Sequence, residues 1–393
     1  MKKASEIKQP SSTSLTSLTK LSVAQGEFQL NRKPEDEKLQ AWEAADEYLL
    51  KHVDEHNLLV EPLNLLIIND AFGALSVALA AHQPTSMSDS YLTQQAMMEN
   101  LSANEIDLSS IKFNNGLSLP KTVFDLVLIK TPKSHALLEF QLRLLKPSID
   151  ANTKIIAAGM SRSIHNKTLQ LFESIMGPTT TSLAWKKSRL IFATPDLSLE
   201  VELANSSDRF VLETNRTFNI SSHANVFSRG RLDEGSQLLI EHMPIDEQYR
   251  DIADLGCGNG VLGIIAASLN KPSSIVFADE SYMAVSSAKQ NFGEAFGKTI
   301  KAHFKVTDCL QGVEDESIDL VVNNPPFHQA NVIGDAIAWQ MFIDARRVLR
   351  KDAALYVVGN RHLGYHTKVK KVFGNCEMIT SNRKFVVLKA IKQ

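Results

Sequence analysis

The chain runs through one order of elements twice. In its second half, short apolar stretches alternate with helical ones. Asp251–Leu255, Ser274–Ala278, Ile300–Val306, Ile318–Val322 and Ala354–Val358 read as strands, with helices over Gly263–Ser268, Ala284–Phe292 and Trp339–Leu349 and a closing hairpin strand over Ser381–Ile391. In the first half, Leu63–Ile68 answers to Asp251–Leu255, Phe124–Leu128 to Ile318–Val322, Lys154–Gly159 to Leu355–Gly359, and Gly177–Thr180 to Gly374–Thr380. The offset holds at about 190 to 200 residues, the signature of a duplicated unit. Strand-helix alternation dictates a parallel sheet with helices on both faces. The fold expected is therefore α/β, two tandem Rossmann-like domains arising from duplication.

Length agrees, since 393 residues exceed one typical domain and suit two. The expected boundaries are a disordered Ser/Thr-rich tail over 1–25, a first domain over 26–200, a linker with a short β element over 201–225, and a second domain over 226–393. The β element is read from the apolar-polar alternation of Arg209–Ile220. Three widely spaced cysteines without a CxxC argue against a disulfide framework or a zinc site and fit a reducing cytoplasm. No apolar run approaches the roughly 20 residues that span a bilayer, and Met1–Lys20 lacks the apolar core of a signal peptide.

The two copies differ where chemistry belongs. After Ile318–Val322 the chain reads Asn324-Pro325-Pro326-Phe327. Two prolines end the strand and set an amide and a ring on a rigid loop at its carboxyl end, where ligands bind in open α/β sheets. An acceptor amide beside a flat ring suits holding a planar amino group in line with an electrophile. At the matching point the first half reads Lys130-Thr131-Pro132-Lys133. It has also lost the glycine-rich turn: Asn69-Asp70-Ala71-Phe72-Gly73 follows Leu63–Ile68. The first half thus reads as a copy that kept its fold and lost its site.

Three more features stand upstream of Asn324. Asp254-Leu255-Gly256-Cys257-Gly258-Asn259-Gly260 joins a strand to a helix, with glycines that let backbone approach a ligand. Its GxGxG spacing and leading Asp254 fit an S-adenosylmethionine loop better than a dinucleotide loop. Asp279 closes the next strand about 20 residues on, placed to accept ribose hydroxyls, with Glu280 beside it as an alternative. Asp308 ends the third strand, placed to accept from an adenine amine.

This order resembles the class I S-adenosylmethionine-dependent methyltransferases. More narrowly, it resembles the amino-group methylating branch with its (Asn/Asp)-Pro-Pro-(Tyr/Phe) motif. With the degenerate first copy it is similar to the bacterial ribosomal RNA guanine-N2 methyltransferases, the RsmC/RlmG family. Residues 41–50, 69–75, 223–229 and 360–363 look like its large-subunit branch, and the resemblance runs from about residue 26 to the end. It implies S-adenosyl-L-methionine as cofactor, no metal, and transfer of a methyl group to a guanine N2 in 23S ribosomal RNA. It implies Asn324, Pro325 and Phe327 as catalytic residues. Asp254, Gly256, Gly258, Gly260, Asp279, Asp308 and Asn324 are implied to hold the cofactor. His328 is read as a loop-packing or RNA-contacting residue. Phe227-Ser228-Arg229 and Leu232-Asp233 either wall the methionine end of the cofactor or pack a domain edge. Rival readings are a small-subunit RNA substrate, glutamine-amide methylation, and a non-catalytic RNA-binding factor.

The formal net charge of -2 conceals an uneven distribution. Residues 340–393 are basic, with Arg346, Arg347, Arg350, Lys351, Arg361, Lys368, Lys370, Lys371, Arg383, Lys384, Lys389 and Lys392. Arg162, Lys167, Lys186, Lys187 and Arg189 form a smaller set, and residues 35–61 are acidic. A face that tracks phosphates needs such a distribution. The expected partner is protein-poor ribosomal RNA, and the expected state is a monomer.

Overall fold

The structure, a computed structural model, describes residues 18–33, 36, 38–202, 208–214, 216–326 and 332–393. The chain divides into two units, one comprising Met1–Ser88 with Thr93–Ala204 and the other Asp89–Leu92 with Asn205–Gln393.

In the first unit the elements are β1 (Lys20–Val23), β2 (Gly26–Gln29), α1 (Ala44–Glu55), β3 (Leu65–Ile68), α2 (Ala74–Ala78), β4 (Thr85–Met87), α3 (Tyr91–Ala103), β5 (Lys112–Asn114), β6 (Leu126–Lys130), α4 (His135–Leu145), β7 (Lys154–Met160), α5 (Asn166–Ile175), β8 (Thr179–Thr181) and β9 (Ser188–Ala193). The second unit has β10 (Asp208–Glu213), β11 (Thr217–Ser222), α6 (Glu234–Glu241), β12 (Asp251–Leu255), α7 (Val261–Asn270), β13 (Ser274–Asp279), α8 (Tyr282–Phe296), β14 (Lys301–Val306), β15 (Ile318–Asn323), α9 (Val332–Val348), β16 (Leu349–Asn360), α10 (Tyr365–Phe373), β17 (Glu377–Ser381) and β18 (Phe385–Ile391).

Each unit is built on a seven-stranded sheet, ordered β5-β4-β3-β6-β7-β9-β8 in the first and β14-β13-β12-β15-β16-β18-β17 in the second. The two orders are the same, and in each a single strand, β9 or β18, runs against the rest and pairs antiparallel with both neighbours. Central strands are buried on both faces, so β3 reads Leu-Leu-Ile-Ile and β6 Leu-Val-Leu-Ile-Lys. One apolar cluster lies on each face of each sheet. The duplication extends to an anchoring carboxylate. Asp125 Oδ2 accepts the Asn64 amide at 2.7 Å, and Asp319 Oδ2 accepts those of Arg250 and Asp251 at 3.0 and 2.8 Å.

Two expectations change and a third is extended. Lys20–Val23 is a strand rather than part of a disordered tail, paired with β2 and burying Leu21; the alternation of Leu21 and Val23 outweighs the surrounding serines and threonines. Arg209–Ile220 falls within a hairpin, β10 and β11. Ser381–Ile391 is broken by a turn in which Asn382 Oδ1 accepts the amides of Lys384 and Phe385 at 2.8 and 2.7 Å. Among the described residues no helix is long and apolar enough to cross a membrane, and no group of three or more His, Cys, Asp or Glu is placed to hold a metal ion.

Candidate functional site

The strand order of the second sheet reverses between β12 and β15, the switch point at whose carboxyl edge open α/β sheets bind ligands. The glycine turn follows β12 and Asn324 follows β15, so the two flank that point. Asp279 and Asp308 end or follow the next two strands, β13 and β14.

The glycine turn is shaped by backbone conformation. Gly256, Gly258 and Gly260 all have positive φ, at 67°, 54° and 82°. A Cβ on Gly260 would lie 2.9 Å from that of Ala288, so this glycine serves packing. A Cβ on Gly258 meets nothing within 4 Å, which makes it the glycine that faces open space. Asp279 fixes it: Oδ2 accepts the Gly258 amide at 3.0 Å and Oδ1 the Ser281 amide at 3.0 Å. Burial raises the Asp279 carboxyl above the usual range, against the pull of those amides.

Asp254 lies beneath the turn, fully buried, with Oδ2 accepting the Gly263 amide at 2.8 Å. Its Oδ1 has no partner among the described residues. Burial, with a smaller contribution from Asp279, pushes its pKa up to about 8. The folded chain therefore holds this proton more tightly than the unfolded one, whose aspartate titrates near pH ~4. The stability Asp254 contributes is complete below that pH and is lost as pH rises through about 8. Asp254→Asn keeps an acceptor for Gly263 without the buried charge. It is expected to gain stability relative to the parent from pH ~4 to ~8, read as the difference in urea midpoints. A difference that stays flat across that window contradicts the assignment.

Asn324 has a determined orientation. Its Nδ2 donates to Ser236 Oγ at 2.9 Å and to Asp233 Oδ2 at 3.3 Å. A carboxylate only accepts, so the amide nitrogen must face Asp233. Oδ1 is then left buried and without a partner among the described residues. Asp233 itself caps α6, accepting the amides of Gly235 and Ser236 at 2.9 and 3.2 Å. Pro325 is buried and Pro326 exposed. Asn323, one residue earlier, is fully buried; its Nδ2 donates to the Leu255 carbonyl at 2.7 Å, and its Oδ1 also lacks a partner. Phe327 and His328 lie outside the described residues.

Glu280 is engaged elsewhere. Its Oε2 accepts Ser90 Oγ at 2.6 Å, and burial raises its pKa to about 7. Asp308 is partly exposed; burial, with a smaller contribution from the Asp308 charge, pushes the neighbouring Cys309 thiol up. Ser228 has φ 56° and donates to the Arg231 carbonyl, while Arg229 pairs with Asp208 at 3.1 Å, so these two brace the segment before α6. Phe227 is half exposed.

The first sheet carries other residues at the matching positions. By strand register Ile67 takes the place of Asp254, Ile129 that of Asn323, and Lys130 that of Asn324. The turn keeps its shape, with φ 65° at Asn69 and 81° at Gly73 matching Gly256 and Gly260. Lys130 is mostly buried and paired with Asp46 at 2.7 Å and Glu43 at 3.4 Å. Burial alone would lower its pKa, but Asp46, Glu43 and Asp70 raise it above the lysine value.

The basic segment divides on inspection. Arg350 pairs with Asp251 and Asp319 at the amino ends of β12 and β15, the edge opposite the site. Arg347, Lys368 and Lys392 pair with Asp315, Asp335 and Glu316. Arg361 and Arg383 remain exposed beside the carboxyl end of β16, on the site's edge. Sequence reasoning missed Asn323 and Ser236 and left Asp233 without a defined role, because their contacts join residues far apart in the chain.

Two α/β sheets of one topology, the second carrying a glycine turn, strand-end acids and, among the described residues, an unpartnered amide oxygen, define the class I methyltransferase fold. Residues 18–197 match the family described as the RLMG N-terminal domain and residues 217–389 the methyltransferase small domain. Curated proteins named ribosomal RNA large subunit methyltransferase G include that of Klebsiella pneumoniae (strain 342), 48% identical over 373 residues, covering 93% of this chain and 96% of that protein. Another, from Yersinia enterocolitica, is 47% identical over 370 residues, covering 93% and 92%. The chain belongs to the ribosomal RNA large subunit methyltransferase G family. Among solved structures, a T. thermophilus 16S rRNA N2-guanine methyltransferase, RsmC, in complex with AdoMet and guanosine shares the fold, with a TM-score of 0.70, 21% identity, and 86% of this chain and 91% of that one covered. The residues present fit S-adenosylmethionine: an open glycine, strand-end acids and unpartnered buried acceptors lie along one edge.

Proposed function

We propose that this chain methylates the exocyclic N2 amine of a guanine in large-subunit (23S) ribosomal RNA, with S-adenosylmethionine as donor. The observation that carries the reading is the buried Asn324 Oδ1, left without a partner among the described residues because Asp233 and Ser236 take up the amide nitrogen. Bound S-adenosylmethionine supplies an electrophilic methyl group. Gly256, Gly258 and Gly260 line its approach, Asp279 accepts from its ribose and Asp308 from its adenine amine.

Guanine N2 is a weak nucleophile because its lone pair is delocalised into the ring. Asn324 Oδ1 and the Pro325 carbonyl accept the two N–H bonds, fixing the amine and turning its lone pair toward the methyl. Positioning of this kind accounts for much of the rate. The surplus proton leaves to solvent after transfer, so no residue need act as a strong base. Phe327 is assigned by sequence to stack on the base, worth roughly 1–3 kcal/mol. Arg361 and Arg383 meet phosphates. Because the acceptor is buried, the base must leave its stack, at a cost smallest when it is already unpaired; this favours protein-poor RNA. Methyl transfer assayed on separated ribosomal RNAs and on intact subunits tests the reading: label in N2-methylguanosine of naked large-subunit RNA supports it, and label confined to protein or to small-subunit RNA sinks it.

A further inference from the structure

Ser88-Asp89-Ser90-Tyr91-Leu92 and Asp279-Glu280-Ser281-Tyr282-Met283 stand at the same point of the repeated order. Each ends the strand beside the central one and opens the next helix. The register agrees, since Thr85 lies beside Leu66 as Val276 lies beside Ala253. The second unit takes in Asp89–Leu92, and there the two stretches exchange hydrogen bonds in both directions. Asp89 Oδ1 accepts the Met283 amide at 2.7 Å and Oδ2 accepts Ser281 Oγ at 2.7 Å. Reciprocally, Glu280 accepts Ser90 Oγ at 2.6 Å. The Tyr91 amide donates to the Glu280 carbonyl at 2.9 Å and the Tyr282 amide to the Asp89 carbonyl at 3.0 Å. Asp89 thus satisfies an amide in the first turn of α8, where backbone amides lack partners, and Glu280 holds the serine that precedes α3. Asn225 Nδ2 adds a donor to Asp89 at 2.8 Å.

We infer that Asp89–Leu92 is a positioning element of the cofactor site: it withdraws Glu280 and fixes Ser281, leaving Asp279 as the acid aimed at the ribose. Asp279 holds Gly258 with one oxygen and Ser281 with the other. Asp89 fixes that same serine through its hydroxyl, so release of Asp89 loosens the acid and the glycine turn together. The inference takes the identity of the ligand from the proposed function. It adds that affinity for the cofactor is set by residues placed nearly 200 positions upstream, a consequence of the duplication.

Calorimetric affinity for S-adenosylmethionine and steady-state kinetics on naked large-subunit RNA test this in four proteins: parent, Asp89→Ala, Ser90→Ala, and the double variant Asp89→Asn with Asn225→Asp. Loss of hydrogen bonds to a carboxylate predicts an increase of about tenfold or more in cofactor Kd and KM for Asp89→Ala, with kcat and the RNA KM within about twofold. The double variant moves the charge to the other end of one hydrogen bond and keeps an acceptor for Met283, but turns an NH2 toward the Ser281 hydroxyl; it is expected to stay as weak as Asp89→Ala, and parent-like affinity in it overturns the role given to that hydroxyl. Ser90→Ala frees Glu280 alone and is expected to raise Kd about threefold. Parent-like affinity in Asp89→Ala overturns the inference, and if that protein does not fold, parent-like affinity in Ser90→Ala does. A parent that binds no S-adenosylmethionine sinks the proposed function instead.

Discussion

Replacing Asn324 with alanine is expected to lower kcat by about 10²–10³-fold, the range found when one preorganised polar group is removed from an active site. Cofactor affinity should change far less. The size of the effect follows from the fixed direction of the amide. Asp233 cannot donate, so Asn324 has one available orientation, and its oxygen is the acceptor left for a substrate amine. Alanine removes that acceptor and leaves the Pro325 carbonyl alone, so the amine is no longer held with its lone pair in line. Asp233→Asn provides the companion test. It sets a second amide against the first, permits Asn324 to turn over, and should reduce kcat by a smaller factor while the Asn324 side chain remains. Single-turnover methyl transfer reads both, since a fall in the chemical step with an unchanged cofactor KM identifies lost transition-state positioning. Full activity in Asn324→Ala contradicts the site.

Lys130→Met should cost the first unit about 3–5 kcal/mol, the usual penalty for removing one partner of a buried ion pair. Lys130 is 12% exposed and Asp46 4% by side chain, and they meet at 2.7 Å. Methionine matches the lysine stem but leaves Asp46 charged, buried and near Asp70, whose own pKa burial lifts to about 6. The double variant Lys130→Met with Asp46→Met should recover most of the loss, because the cost lies in the uncompensated charge rather than in a missing attraction. Urea denaturation of the three proteins checks this. A Lys130→Met midpoint equal to the parent's contradicts the view that this lysine became a structural residue when the first copy lost its amide.

The fold was legible because its evidence is local and repeated. Central parallel strands must be apolar on both faces, so Leu65–Ile68 and Ile318–Asn323 announce themselves. The strand-end residues were legible for a related reason: Gly258, Asp279 and Asn324 break an apolar pattern at a place where topology puts ligands. What escaped the sequence was pairing across distance. Asn324 takes its orientation from Asp233, 91 residues away, and Ser281 is held by Asp89, 192 away. No spacing rule connects such residues. The same blindness inflated the basic face, because Arg347 and Arg350 read as free cations until their acidic partners are seen. Serine and threonine content likewise concealed the strand at Lys20–Val23, whose signal is only Leu21 and Val23.

One working amide in a duplicated chain, acting on guanine in large-subunit RNA, has a direct biochemical signature. Labelled methyl transfer from S-adenosylmethionine to separated 16S and 23S ribosomal RNAs, followed by nucleoside digestion, tests it most directly. Label is expected in N2-methylguanosine from the 23S RNA alone, abolished by Asn324→Ala and retained by a folded Lys130→Asn variant. Label in protein or 16S RNA, or undiminished label with Asn324→Ala, would contradict it.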